Sequence, residues 1–399
     1  MEENKKENLT VCEMVDTYYP CVDGVIGLVK NYALRLNKKA KCFVAVPKAS
    51  KKSGYVDKEE FEIMRCKSVP APEKYRCAVP NLDRKFKRAF AAKKPDIIHM
   101  HSPFTLARFA IKYGKRHKTP VVITLHTKYR DDFSRSLKGN KPLVTFMMRY
   151  MMKVFNKADS VWTVSNASKK VLREYGYKGD IHVLRNGTDF VYPENPKEYI
   201  DVVNEKHGLA GQKNVFLFVG RLAMYKNLKL LCDSLKILKD KGLDFKMIFV
   251  GGGFDKDELV RYIEEKGLKD YCIMAGTVSA RDELQGYFLR SDLMLFPSIF
   301  DTAGLTVIEA AANKLPSVVI EGAGTAETIT DGVSGFYSKE NAKDYANAIE
   351  NAVSDEKRLK EISENAYKTV YRSWDKVVDE AYEKYKEIIN NYKEKHKQQ

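Results

Sequence analysis

Two carboxylates eight positions apart, Asp301 and Glu309 in FPSIFDTAGLTVIEAAANKLPSVVI, stand in an otherwise apolar stretch, with Val307, Ile308 and three alanines around the second. Removing a carboxylate from water is costly unless something partners it. Asp301 precedes the expected helix and could serve as its N-cap. Glu309 lies too far inside for that role, whereas the vicinal hydroxyls of a ribose offer two donors to one carboxylate. The helix start at Ala303-Gly304-Leu305 would supply amide N–H groups to phosphate oxygens.

Cations sit at a comparable place upstream. NVFLFVGRLAMYKNLKLL puts Gly220 and Arg221 at a strand end, and Lys226-Asn227 opens the next helix. Arg as a fork and Lys as a point charge could clamp a diphosphate there; a surface pair with no ligand fits the same residues. His126 in LHTKY and His101 in HMHSPF each follow a strand of the first half. Each reads as a core imidazole with both nitrogens satisfied or as a group facing a ligand, and His101 is the one expected to shape the cleft. Asp23-Gly24-Val25 marks a turn into a helix, where a glycine lets backbone approach a phosphate, although a plain turn fits equally. The dinucleotide fingerprint GxGxxG is absent from that turn. Asp255-Lys256-Asp257 spells a metal-binding DxD, yet GGGFDKDELVRYI reads as a helix start whose acids suit the dipole, so no metal is expected.

These residues need strands to end beside them. Short apolar runs alternate with amphipathic segments, the pattern of parallel α/β units. TVCEMV, KCFVAV, FEIMRCKSV, DIIHM, PVVITL, SVWTV and IHVL are the strands of the first half. NVFLFVG, FKMIFVG, YCIMAG, LMLFPS and PSVVI restart the pattern. Two doubly wound domains follow, and such folds bind ligands at the C-terminal strand ends. TDFVYPENPKEYIDVVNEKHGLAGQK, with two prolines and no apolar run, is the expected linker. From about Ser373 onward a charged amphipathic helix carries Val377, Val378, Ala381, Tyr382, Tyr385 and Ile388 at helical spacing and must dock somewhere.

The 399 residues exceed what one core usually organises. With 44 % hydrophobic and 31 % charged residues, the composition is globular and excludes a disordered chain. Seven scattered cysteines show no metal spacing and read as core residues of a reducing compartment. The polar start MEENKKENLTVCEMV has no apolar core of a signal peptide, and no run of 18 apolar residues occurs. The expected location is the cytosol, or a membrane surface approached from it. The net charge of +16 divides unevenly: residues 1–190 carry 39 Lys+Arg against 19 Asp+Glu, or +20, leaving −4 for the remainder. Such a half attracts anionic partners, phospholipid, nucleic acid or polyphosphate among them.

Taken in order, DTYYPCVDGV, PDIIHMHSPF, VVITLHTKY, ADSVWTVSNA, VLRNGTD, VGRLAMYKN, FVGGG, PSIFDTAGLTVIEAAA and ETITDGVSGF resemble the retaining, nucleotide-sugar-dependent glycosyltransferases of family four, with the GT-B fold. The resemblance implies two Rossmann-like domains facing a central cleft, residues 1–190 with about 373–399 for the acceptor and 191–372 for the donor, the last helix crossing back to the first domain. It implies that Asp301 reaches the sugar hydroxyls and Glu309 the ribose. Arg221 and Lys226 match the diphosphate clamp, Ala303, Gly304, Leu305 and Thr306 the phosphate and sugar contacts, and Val278 the backbone that meets the base. Gly24 and Gly220 join the donor contacts; His126 stands beside the transferred sugar, with His101, Lys128 and Tyr129 on the acceptor side. The first acid is usually Glu, so Asp301 shortens the reach by one methylene.

The expected reaction moves a hexosyl unit, glucose from a UDP-linked donor, to an acceptor hydroxyl with retention. No metal or cofactor is implied, and His126, Arg221, Lys226 and Asp301 carry the catalytic roles. Fixed cations and helix amides would stabilise the charge that grows on the departing phosphate. In this fold the first domain binds the acceptor. Its basic segments NLDRKFKRAFAAKKP and SLKGNKPLVTFMMRYMMKVFNKA carry apolar anchors, which suits an anionic membrane and a lipid acceptor such as diacylglycerol. Met147, Met148, Met151 and Met152 fit a core equally well. Rival readings are a transferase of capsule or cell-wall glycan, a nucleic-acid-binding module, against which no recognition motif is visible, and a nucleotide-sugar-binding protein without turnover.

Overall fold

The computed structural model of the chain describes residues 9–21, 24–71 and 76–397. It divides into two compact units, Met1–Asn186 with Trp374–Gln399, and Gly187–Ser373. The first unit begins β1 (Thr10–Met14), α1 (Gly24–Lys39), β2 (Lys41–Pro47), β3 (Glu62–Cys66), β4 (Ser68–Pro70), β5 (Arg76–Ala78) and α2 (Arg84–Lys93). It continues β6 (Ile97–Met100), α3 (Thr105–His117), β7 (Val121–Leu125), α4 (Tyr129–Ser136), α5 (Lys141–Phe155), β8 (Ser160–Thr163), α6 (Asn166–Glu174) and β9 (His182–Val183). Seven strands form one sheet in the order β3-β2-β1-β6-β7-β8-β9. All pairs are parallel. The order reverses between β1 and β6, the crevice where doubly wound sheets bind ligands.

FEIMRCKSV, expected as one strand, is two. The Lys67 amide bonds the Asp83 carboxylate at 2.8 Å instead of continuing the ladder, and β4 pairs antiparallel with β5.

The second unit runs α7 (Pro196–His207), β10 (Val215–Val219), α8 (Leu228–Asp240), β11 (Lys246–Val250), α9 (Lys256–Glu265), β12 (Cys272–Gly276) and α10 (Arg281–Arg290). After these come β13 (Leu293–Phe296), α11 (Leu305–Ala312), β14 (Ser317–Ile320), β15 (Phe336–Ser338), α12 (Ala342–Val353) and α13 (Glu356–Thr369). Its sheet order is β12-β11-β10-β13-β14-β15, parallel throughout, so the switch point lies between β10 and β13. Every residue of β10 is buried, as expected of a central strand with helices on both faces.

Nearly half of the expected linker is helix. Val203 of α7 is buried, Arg290 of α10 donates to Asn204, Leu209 and Gln212, and Gly286 leaves room for the Tyr199 carbonyl. Packing on α10 holds α7 despite the weak apolar pattern.

The C-terminal helix α14 (Trp374–Lys397) belongs to the first unit and packs along α1. Arg35 and Lys39 of α1 pair with Asp375 and Asp379 at 3.2 and 2.7 Å. Its buried stripe is Trp374, Val377, Val378, Ala381, Tyr382, Tyr385 and Ile389. Ile389, four residues past Tyr385, takes the core position expected of Ile388.

Candidate functional site

At the switch point of the second unit, the segment after β10 lies against those after β11 and β13. Lys226, in the turn Met224–Lys226, is only 8 % exposed. Its ammonium donates to both oxygens of Asp301, each at 2.8 Å, and stands 5.3 Å from the centre of the Phe296 ring. Asp301 is therefore no N-cap: Gly304 occupies that position, in left-handed backbone at φ 52°, with no side-chain cap. The amides of Val307 and Ile308 return to the Gly304 carbonyl. Among the described residues those of Leu305 and Thr306 meet no acceptor, the usual state of a first helical turn. An ammonium held nine-tenths out of water is suited to anionic oxygens, and open amides at a helix start offer donors of the same kind.

Arg221, expected as the second fixed cation, is exposed and makes no side-chain hydrogen bond or ion pair among the described residues. Glu309 is half-buried on α11, and its carboxylate takes no hydrogen bond among the described residues. Burial pushes that carboxyl up to about 7, opposed by the Arg281 guanidinium and reinforced by Asp189. Arg281, at the start of α10, lies over the Phe190 ring at 3.8 Å. Sequence reasoning passed over it because an arginine in a helical first turn looks like solvated surface. Val278, three residues earlier, packs half-buried against the core of this unit.

The glycine run after β11 has a steric cause. A Cβ on Gly251, at φ 143°, would stand 1.9 Å from the Gly220 carbonyl oxygen, and one on Gly253 2.1 Å from that of Leu222. The loops carrying Gly220, Arg221 and Lys226 are thus pressed onto the β11 end. Either Gly251→Ala or Gly253→Ala should cost at least about 2 kcal/mol, read as a lowered midpoint in thermal unfolding. An unchanged midpoint would mean that the two loops part freely. A further signal that the sequence hid is Thr325, beside Gly304, whose buried hydroxyl lacks a partner among the described residues.

Asp255 and Asp257 do not form a cluster with other ligating groups among the described residues. The Asp255 carboxylate accepts from the Met224 amide at 2.8 Å, and Asp257 lies in the first turn of α9.

In the first unit, Gly24 opens α1 with open space where a Cβ would stand, so packing does not require glycine there; Asp23 lies outside the described residues. His126 follows β7 and His101 follows β6, both buried. His101 Nδ1 meets His126 Nε2 at 3.0 Å and His101 Nε2 meets the Glu13 carboxyl at 2.5 Å. Both its nitrogens are engaged internally, by His126 and Glu13, as a residue that shapes the cleft from below would be. Tyr129 is likewise core, its ring 5.8 Å from Phe104 and 5.9 Å from Phe133. Lys128 is half-buried, and its carbonyl accepts the Asp131 and Asp132 amides at the start of α4.

Glu13, His99 and His101 are the group of described residues close enough to suggest a metal. The 2.5 Å between Glu13 and His101 is shorter than the roughly 3.3 Å separating two ligands of a tetrahedral zinc. Hydrogen bonding accounts for the cluster. Burial pushes Glu13 up to about 8 and His101 down to about 3, and holds His99 and His126 well below the usual imidazole range.

Comparison with known proteins fits both units. Residues 22–191 match the family model Glycosyltransferase Family 4, and residues 200–369 match Glycosyl transferases group 1. Alpha-monoglucosyldiacylglycerol synthase of Acholeplasma laidlawii is 24 % identical over 344 residues, covering 82 % of this chain and 84 % of that protein. The crystal structure of Anabaena Alr3699/HepE in complex with UDP superposes with a TM-score of 0.74 at 18 % identity, over 94 % of this chain and 99 % of the other. Sucrose-phosphate synthase from Thermosynechococcus elongatus gives 0.76 at 16 % identity, over 96 % and 100 %. With two parallel sheets of this order and both family models in sequence along it, the chain belongs to the family-four glycosyltransferases of the GT-B fold.

Proposed function

We propose that this glycosyltransferase moves a hexosyl unit, glucose from a UDP-linked donor, to a hydroxyl of a membrane lipid such as diacylglycerol, with retention and without a metal. The observation that carries the donor half is the buried Lys226 ammonium at the switch point, held by Asp301 in the segment that leads into α11. Diphosphate oxygens compete with Asp301 for Lys226, and the released carboxylate turns to sugar hydroxyls. Arg221, exposed in the free protein, closes on the same diphosphate; Glu309 takes the ribose, Val278 lies by the base, and Gly24 lets backbone near the phosphates. As the anomeric C–O bond breaks, negative charge grows on the β-phosphate and Lys226 stabilises it more than the ground state. The acceptor oxygen bonds the same face of the anomeric carbon, and its proton passes to the departing phosphate. His126 stands on the sugar side.

The lipid acceptor is supported by the basic first half, by the diacylglycerol named in the relative from Acholeplasma laidlawii, and by the surface of α5. Its Met148 and Met151 are core, as are Phe86 and Phe90 of α2, which removes them as membrane anchors. Leu143 and Phe146 remain exposed, Phe146 at 62 %, with Leu82 at 76 % just before α2. Lys141, Arg149 and Lys153 are exposed on the same helix. No helix among the described residues is long and apolar enough to cross a membrane, so contact would be interfacial.

Two measurements test this. UDP-glucose with diacylglycerol vesicles should give a product one hexose heavier by mass spectrometry; transfer to soluble glycans alone would favour capsule or cell-wall synthesis. Phe146→Asp should weaken flotation with phosphatidylglycerol vesicles about tenfold, since it removes an apolar anchor and adds repulsion. Flotation equal to wild type would remove α5 from the membrane contact.

A further inference from the structure

The buried cluster under His126 forms one hydrogen-bonded line. Thr124 Oγ1 meets His99 Nε2 at 2.7 Å, His99 Nδ1 meets Tyr385 Oη at 2.5 Å, and Tyr385 donates to Glu13 Oε1 at 3.1 Å. Glu13 Oε2 then meets His101 Nε2 at 2.5 Å and His101 Nδ1 meets His126 Nε2 at 3.0 Å. Glu13 and His99 are fully buried and His101 is 1 % exposed, so water cannot supply alternative partners readily. Each imidazole is neutral and carries one proton, which makes the line directional. With Glu13 protonated, its O–H donates to His101 Nε2, His101 Nδ1–H donates to His126 Nε2, and His126 carries its own proton on Nδ1. With Glu13 ionised, His101 donates to it from Nε2, accepts from His126 Nε2–H, and the Nδ1 of His126 bears a lone pair.

We infer that Glu13, anchored by Tyr385 of the C-terminal helix, is a positioning residue that decides through His101 which nitrogen of His126 bears the proton. His126 lies at a C-terminal strand end, where doubly wound sheets meet their ligands. A histidine there donates or accepts according to its tautomer. The inference rests on the reading of His126 as a substrate-side group in the proposed transfer. It also gives the return of α14 to the first unit a chemical consequence, since Tyr385 hands one of the two Glu13 oxygens its donor. The titratable groups facing Glu13 are Cys12 on its own strand, Cys42 of β2, His99 and His101 of and after β6, and Tyr385 of α14. Tyr32 of α1 packs its ring on both His99 and His101.

Full-length protein labelled with nitrogen-15 histidine reports the tautomer of His126 directly. Wild type near neutral pH should show Nδ1–H, and Glu13→Gln, whose amide N–H also donates to His101, should keep it. Glu13→Leu cuts the line: the tautomer balance of His126 should move away from that of wild type, with kcat down at least about tenfold and donor KM within about twofold. Glutamine should restore kcat to within about threefold of wild type. A folded Glu13→Leu protein with the wild-type His126 spectrum overturns the inference. Should the leucine variant not fold, the pH course decides: wild type should pass to Nε2–H as Glu13 ionises, while Glu13→Gln stays at Nδ1–H. Identical behaviour of the two proteins across that range overturns the inference as well. A changed spectrum with unchanged transfer would instead refute the part given to His126 in the reaction and leave the line of protons standing.

Discussion

Lys226→Ala is expected to lower kcat by about 10²- to 10³-fold, the scale of removing one preorganised donor from a developing oxyanion. Its ammonium is held by Asp301 over Phe296 and is little exposed, so its charge acts through protein more than through water. The fold should survive: the side chain of Asp301 keeps 28 % of its exposure and can hydrate when its partner is gone. Arg221→Ala, at an exposed position, should cost less, about tenfold, because solvent screens that charge. Single-turnover rates with saturating donor check both. Near-wild-type turnover in the Lys226 variant would defeat leaving-group stabilisation as the source of rate.

On the proposed ribose contact, Glu309→Ala should raise donor KM about 10²-fold or more, since two hydrogen bonds from hydroxyls to a carboxylate would be lost and each is worth roughly 1.5–3 kcal/mol. The dependence on pH has a definite sign. Burial first, and Asp189 next, raise the Glu309 carboxyl to about 7 against the pull of Arg281. A carboxyl that must be ionised to accept two hydroxyls then binds donor well above pH 7, and affinity declines below it, by at most tenfold per unit. Donor KM measured from pH 5.5 to 8.5 should show this slope in wild type and lose it in Glu309→Gln. A slope that persists in the glutamine variant would assign it to another group, the second phosphate ionisation of any contaminating monophosphate being excluded by purifying the donor.

Much of the fold was legible because parallel α/β sheets write continuous apolar runs. VFLFV, KMIFV and LMLF appear as strands within a residue or two of their expected ends. Short or pattern-poor elements were not. The three residues of β15 bury too little for periodicity to register, and α7 is held by contacts with α10 that no local window contains. Of the candidate site, the strand-end residues Gly220, Lys226 and Asp301 come together because the β10–β13 crossing places their loops side by side.

Residue types and spacing alone determined that this chain carries two doubly wound units, with carboxylates and cations following their strands. Local pattern suffices there, since burial of a strand and the start of a helix depend on neighbours in sequence. Only the tertiary structure decided that Asp301 answers Lys226 instead of capping a helix, that Phe86, Phe90 and Tyr129 face inward, and that a glutamate of the first strand meets a tyrosine of the last helix. Partners 75 and 372 residues apart are chosen by the packing of whole elements, and no short stretch of chain records that choice.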